Sequence, residues 1–386
     1  MRFSDRMKAL EPGVFAKLAV RKAELIAQGC DVIDLSVGTP DLPPDSRIME
    51  IISGGAMDPL QYFYAIDDLP ELHTAAAQWY RRRFHVEIDP DTEVISLLGS
   101  QEGLAHIAMT LCDEGSVALV PDPCYPIFSF GPQLAGARLV SMPMREEKGF
   151  LIDFSDIATQ DAKDARLAIV SYPNNPTGAV APKSWYRDLV AFAKEYDIAV
   201  VHDNAYCELC FTEEPGGSFL SVPGARDVGV EFNSLSKTYA MAGARIGFCL
   251  GNRDIVGALK RLKSNIDYGV FLPVQRAAIE AVTGDQGCVA RNRDAYRRRR
   301  DLFISRANAM GWEVPAPEGS MFVWAPIPDG WEDATAFCEA MMERAHTIFV
   351  PGESFGPGGK GYVRVALVQS EERIDEAMRR VAESLR

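Results

Sequence analysis

Two rhythms of apolar residues alternate along this chain. From Pro12 to Gln28 the apolar positions Phe15, Leu18 and Ala19 recur at helical spacing, and Gly29 ends the run. Asp31 to Val37 then reads as a short strand that enters the stiff turn Gly38-Thr-Pro-Asp-Leu-Pro-Pro44. Gln61-Tyr62-Phe63-Tyr64 is aromatic and loop-like, with Phe63 expected to pack in the ordinary way, and Pro70 to Phe84 reads as a helix. Short apolar runs follow at Val94–Leu98, Val117–Val120, Leu167–Val170, Ile198–His202 and Gly229–Phe232. Such near-continuous runs suit strands covered on both faces. Between them helical spacing returns, as at Leu104, Ile107, Ala108 and Leu111. This alternation, from about residue 94 to 251, predicts an α/β fold: a mostly parallel sheet flanked by helices. Beyond Pro273 the chain turns helical, including Asn292 to Ala307, before late strands at Phe322–Ala325, Thr347–Val350 and Tyr362–Leu367. The expected division is a large domain over residues 46–284 and a small, discontinuous α+β domain from residues 1–45 and 285–386.

Composition narrows the function classes. With 386 residues and 47% hydrophobic content, the chain is long and apolar enough for a sizeable core. A net charge of -14 disfavours nucleic acid and anionic membrane as partners. No apolar run approaches a membrane span, and the start Met1-Arg-Phe-Ser-Asp-Arg has no signal-peptide core. Eight irregularly spaced cysteines fit reduced thiols in a cytoplasm. Cys207-x-x-Cys210 lacks the second pair that a zinc site needs, so no metal is expected. The run Arg297-Arg-Arg-Arg300 reads as a solvated helix face with Leu302 and Phe303 turned inward. Gly359-Lys360 lacks the flanking residues of a P-loop.

The candidate chemistry centres on Ser234-Leu-Ser-Lys237, with Arg245 eight residues later. A desolvated lysine loses its proton more easily and becomes an amine that can attack a carbonyl. Arg245 and the hydroxyls of Ser234 and Ser236 suit a phosphate. Gly99-Ser100-Gln101-Glu102-Gly103 lies between a strand and a helix, where free N–H groups attract an anion. Tyr125, held between prolines, can stack on a flat ring, and Asn175 can hydrogen-bond a ring oxygen or a carboxylate. Asp203 ends an apolar strand, where it either pairs with a protonated ring nitrogen or caps a helix. Arg364, within an otherwise apolar strand, calls for an anion. Lys263, Asn265 and Asn292 are further candidates, for a clamp on a distal carboxylate.

Taken together, these residues resemble the pyridoxal-phosphate aminotransferases of fold type I, class I/II, from about Val32 to Leu367. The resemblance rests on Gly38-Thr-Pro-Asp41, Gly99-Ser-Gln-Glu-Gly103, Asn174-Asn-Pro-Thr-Gly178, Asp203-x-Ala-Tyr206, Ser234-x-Ser-Lys237, Arg245 and Arg364. It implies that Lys237 condenses with the cofactor aldehyde and Asp203 pairs with the pyridine nitrogen. Tyr206 and Asn175 would bond the ring oxygen, and Tyr125 would stack on the ring. Ser100, Gln101, Ser234, Ser236 and Arg245 would hold the phosphate. Arg364, with Gly38 and Asn175 near, would bind the substrate carboxylate. It further implies a homodimer in which Tyr62 reaches the partner's site.

Stretches such as Tyr172-Pro-Asn-Asn-Pro-Thr-Gly-Ala-Val and Leu262-Lys-Ser-Asn-Ile-Asp-Tyr-Gly-Val-Phe271 resemble the LL-diaminopimelate and alanine:glutamate aminotransferases. The implied reaction moves an amino group between an L-amino acid and a 2-oxo acid, with glutamate and 2-oxoglutarate as one pair. Alanine or aspartate transamination, and C–S β-elimination on the same fold, are the alternatives. The chain departs from its relatives at Gln101 (Lys there), Ala240 and Ala244 (Asn and Trp), Asp68 (Gly) and His73 (Arg). The two alanines are expected to remove bulk close to the cofactor.

Overall fold

The short apolar runs pair into one central sheet, as the pattern predicts. The structure is a computed structural model and describes Arg2, Met7 and residues 14–212 and 216–385. Its first strand, β1 (Ile33–Asp34), lies outside the central sheet. The sheet itself comprises β2 (Val94–Leu97), β3 (Val117–Asp122), β4 (Arg138–Pro143), β5 (Ala165–Ser171), β6 (Ala199–Asp203), β7 (Gly229–Ser234) and β8 (Gly247–Gly251). Their spatial order is β2-β8-β7-β6-β5-β3-β4, and only β8 runs antiparallel to its neighbours.

Helices cover both faces, which is why the strands read as continuous apolar runs. Ala168, Val170 and Val200 join one core, while Leu167, Ile169, Val201, Val230 and Phe232 join the other. The carboxyl ends of the parallel strands share one edge of the sheet. Because β8 runs the other way, its entrance lies at that same edge. Arg245, two residues before β8, is thereby brought to the side where the other strands end.

The late strands β9 (Phe322–Pro326), β10 (Thr347–Ile348), β11 (Val350–Pro351) and β12 (Tyr362–Ala366) form two small sheets. β1 pairs in parallel with β10, and β11-β12-β9 is antiparallel. A separate core of Phe303, Trp312, Phe337 and Phe349 backs them.

Some expected elements differ. The strand expected at Asp31–Val37 shrinks to Ile33–Asp34 because Ser36 leaves the ladder. Its N–H donates to Asp34 Oδ1 at 2.9 Å, and its carbonyl accepts from Arg364 at 2.7 Å. Thr347–Val350 divides in two because Ile348 pairs with β1 whereas Val350 faces Arg364 on β12. The first helix is described over Val14–Ala27; Pro12 and the Phe15 side chain lie outside the described residues. The helix placed from Leu104 starts at Ser100, so Ser100 and Gln101 form its first turn. Phe63 is not packed inside but is 70% exposed.

The arginine run lies on the helix Gly287–Ala309 and is not a uniform solvated face. Arg297, Arg298 and Arg300 pair with Asp294, Glu371 and Asp301. Arg299 is buried and grips Asp41. Phe303 is buried as expected. Among the described residues, no helix is long and apolar enough to cross a membrane.

Candidate active site

A cavity of about 490 Å³ opens beyond the carboxyl ends of the parallel strands. In open α/β sheets this crevice is where ligands gather. Every cofactor and α-carboxylate residue implied by the resemblance lines it except Tyr62. Tyr62 stands on the surface, its hydroxyl donating to Ala56 O at 2.9 Å and its ring 5.3 Å from Phe271.

Lys237 follows β7 on a short helical turn, Leu235–Thr238, which Ser234 caps by accepting the Ser236 N–H. Its Nζ donates to Gly38 O at 2.5 Å. Burial, then the cations Arg364 and Arg245, bring its pKa down to about 8, against the opposing pull of Asp203. The group is therefore close to exchanging its proton at neutral pH.

Asp203 faces it from the end of β6. Burial pushes its carboxyl up to about 6, although His202, the Ala205 N–H and Lys237 pull the other way. The Ala205 contact is the local turn an aspartate commonly makes. One carboxylate oxygen is thus used locally, while Oδ1 is buried without a hydrogen-bond partner. A buried carboxylate oxygen without a donor calls for a ligand N–H. Tyr206 stays protonated: burial raises its pKa well above the usual phenol range, and its hydroxyl bonds the Asn175 side chain.

The opposite end of the cavity suits a phosphate. Ser100 and Gln101 open the helix Ser100–Leu111, whose first N–H groups carry partial positive charge. Arg245, in a left-handed conformation with φ 56°, bonds Ala242 O at 3.0 Å and Leu98 O at 3.4 Å. Gly99 has φ 80°, and a Cβ there would strike the Arg245 guanidinium. Glycine is required for both reasons. The Tyr125 hydroxyl donates to Gln101 Oε1 at 2.9 Å.

At the third wall Arg364 is 2% exposed. It donates to Asn175 Oδ1 at 3.0 Å and Ser36 O at 2.7 Å. Its guanidinium lies between the Phe322 and Phe355 rings, at 4.2 and 4.5 Å. Burial lowers its pKa to about 10, so it remains a cation at neutral pH. The neighbouring asparagines divide the work. Asn174 ties its loop, bonding Ser171 O, Thr177 N and Thr177 Oγ1, while Asn175 faces the cavity.

Seven further residues singled out from the sequence lie elsewhere. Lys263 is bound to Glu102 at 2.8 Å and to Asp267 at 3.0 Å. Its ammonium thus occupies the cluster of Glu102, His106 and Asp267, whose ligand atoms lie within 4.8 Å of one another. Asn265 turns back to Arg261 O, and Asn292 to Thr238 O. None of the three lines the cavity of its own chain. Ala240 and Ala244 do not line it either; Ala242 and Gly243 do. Asp68 and His73 prove to be one unit, with His73 Nε2 2.8 Å from Asp68 Oδ2.

Sequence reasoning missed the buried pair behind Asp203. His202 and Glu231 are cross-strand neighbours, with Nδ1 2.8 Å from Oε2. The available signal was one polar residue, His202 or Glu231, inside each of two apolar runs.

A lysine and an aspartate facing across a cavity, between a phosphate cradle and a buried arginine, define an amino-group-transfer site. The sequence profile of the class I and II aminotransferases matches residues 30–381, and this chain belongs to that family. It is an enzyme, a pyridoxal-phosphate-dependent transaminase of fold type I. It is similar to the LL-diaminopimelate aminotransferase of Moorella thermoacetica, 42% identical over 99% of this chain and 98% of the relative. The enzyme of the same name from Desulforudis audaxviator is 44% identical over 98% and 96%. Among solved structures, substrate-bound BacF of Bacillus subtilis aligns with a TM-score of 0.96 at 35% identity, over 99% of this chain and 98% of that one. A Thermus thermophilus aspartate aminotransferase double mutant aligns with a TM-score of 0.92 at 28% identity, over 100% of both.

Proposed function

We propose that this enzyme binds pyridoxal phosphate in the cavity and moves an amino group between LL-diaminopimelate and 2-oxoglutarate, the latter becoming glutamate, in either direction. The substrate assignment is supported by the LL-diaminopimelate aminotransferases that match this chain along nearly their whole length. The observation that carries the cofactor reading is the unpartnered Asp203 Oδ1 opposite Lys237. A protonated ring nitrogen would supply the missing N–H. Ser100, Gln101, Ser234, Ser236 and Arg245 would hold the phosphate, and Tyr125 would lie against the ring.

When bound, the cofactor supplies an electron sink for the substrate's α-carbon. The remaining work falls to side chains. Lys237, with a pKa near 8, would take the α-proton as general base and deliver it as general acid to the cofactor carbon that carried the aldehyde. Asp203 keeps the ring nitrogen protonated. Tyr206 and Asn175 bond the ring oxygen. Arg364 holds the α-carboxylate in the two-pronged manner that guanidinium allows, with Gly38 beside it.

The exposed strip of Leu60, Tyr62, Phe63, Tyr64 and Ile66 is the surface on which two copies would pair, carrying Tyr62 to the partner's site. A strip this apolar is a natural contact surface. The core of Phe303, Trp312, Phe337 and Phe349, separate from those on the two faces of the central sheet, supports the division into residues 46–284 and residues 1–45 with 285–386. Eight free cysteines suit a reducing cytoplasm.

A half-reaction panel tests the reading. The protein is loaded with pyridoxal phosphate, and its visible spectrum is followed after adding LL-diaminopimelate, glutamate, alanine or aspartate. Conversion by LL-diaminopimelate and glutamate is expected. Conversion by alanine alone would reassign the substrate. Release of pyruvate and ammonia from cystathionine, without an oxo acid, would assign lyase chemistry instead.

A further inference from the structure

Arg299 is the third of four consecutive arginines, yet its side chain is only 6% exposed. Its two terminal nitrogens each donate to a different Asp41 oxygen at 2.7 Å. Nη1 also donates to Leu367 O at 3.0 Å. Those partners lie close to two cavity groups along the chain. Asp41 comes three residues after Gly38, whose carbonyl receives Lys237. Leu367 comes three residues after Arg364. The same two segments are joined directly by Ala366 N to Leu35 O and by Arg364 to Ser36 O, both at 2.7 Å. Arg299 closes the far end of this seam. A planar fork can engage both carboxylate oxygens and a carbonyl together, whereas an ammonium on a single stem cannot hold that geometry.

We propose that Arg299 is a positioning residue for the carboxylate end of the cavity. It clamps the Gly38 loop against the strand bearing Arg364 and so sets where a substrate carboxylate stands relative to Lys237. The proposal rests on the reading of Arg364 as the α-carboxylate ligand. The phosphate end, held by Ser234 and Arg245, takes no part in the seam.

The test uses the full chain loaded with pyridoxal phosphate and the fastest donor of the panel above. Arg299→Lys is expected to raise the half-saturating donor concentration about tenfold, with a smaller fall in maximal rate. Affinity of the cofactor-free protein for pyridoxal phosphate, read by absorbance titration, should be nearly unchanged. Asp41→Asn should act alike and serves if Arg299→Lys does not fold. Arg298→Met, which removes an exposed pair with Glu371, should shift neither quantity. Wild-type half-saturation in folded Arg299→Lys and Asp41→Asn overturns the proposal. So does an equal loss of pyridoxal phosphate affinity, which would mark a general structural role. Arg364→Lys separates the two readings. If it raises half-saturation while the clamp variants do not, only the clamp fails. If it leaves half-saturation unchanged, the role given to Arg364 fails, and the clamp proposal with it.

Discussion

His202 and Asp203 are consecutive residues on β6, so their side chains leave the sheet by opposite faces. Behind the sheet, His202 sits among filled valences. Nδ1 meets Glu231 at 2.8 Å, and Nε2 lies 3.1 Å from Tyr172 O and 3.2 Å from the Tyr186 hydroxyl. Glu231 also accepts from Tyr80, Ser218 and the Phe219 N–H, each at 2.8 Å. On the cavity side, Asp203 keeps a buried oxygen without a partner. Its carboxyl is pushed up while Lys237 and Arg364 are pushed down, each chiefly by burial. Both faces bury polar groups at the same depth. The rear face completes its hydrogen bonds and gains order. The front face leaves them open, which costs stability and reserves them for a ligand.

The largest expected effects come from the front face. Lys237→Ala and Asp203→Asn should each lower the transamination rate by about a thousandfold, because each removes a charge or amine aimed at the reacting group. The cofactor-free Asp203→Asn protein should be more stable than the parent at pH 8. A carboxyl whose folded pKa is raised to about 6 opposes folding increasingly as pH rises from about 4, and fully once pH is above 6. Urea unfolding of both proteins measures this, and a destabilised variant would place Asp203 with the structural residues.

The rear face predicts the reverse. Glu231→Gln removes one end of a buried network and should cost about 3 kcal/mol of stability by urea unfolding. Folded molecules should retain most of their rate. A variant of normal stability but collapsed activity would erase the distinction between the faces.

How much of this was legible in the sequence follows from where the information lies. Most cavity residues sit at or near a strand end, next to glycine, proline or a serine cap, and such punctuation is local; Arg364, inside β12, stands out as the one cation of an apolar strand. The rear network is not local. His202 meets Glu231 only through the register of β6 with β7, which no spacing along the chain reveals. Gly229–Phe232 read as an apolar strand despite containing Glu231, and tertiary pairing explains why the glutamate is tolerated there. Arg299 was hidden by its neighbours, because a run of four arginines looks uniform until one of them is found buried. The same holds for Lys263, whose role is set by Glu102, 161 residues away.

Asp68 offers the finest test, because it is an aspartate almost as hidden as Asp203 but fully engaged. Its side chain is 7% exposed. It receives His73 Nε2 at 2.8 Å, the Ser96 N–H at 2.9 Å and the Ser96 hydroxyl at 2.6 Å. Ser96 lies on β2, at the edge of the sheet, so Asp68 also occupies an N–H that no strand would pair. Burial works against this carboxylate, but the bonds from His73 and Ser96 outweigh it and hold its pKa below the usual range. The signs for the two aspartates are therefore opposite. The Asp68 contribution is complete above the unfolded pKa of about 4 and is lost as pH falls through the lower folded value. The Asp203 penalty instead develops as pH rises from about 4 to 6. Asp68→Asn should therefore cost about 2 kcal/mol at pH 6 and progressively less below pH 4, measured by urea unfolding across that range. A pH-independent cost would mean that shape rather than charge holds the loop to the sheet edge. A cost that grows on acidification would mean that Asp68 behaves as Asp203 does, and that hydrogen bonds do not separate a structural carboxylate from a functional one in this protein.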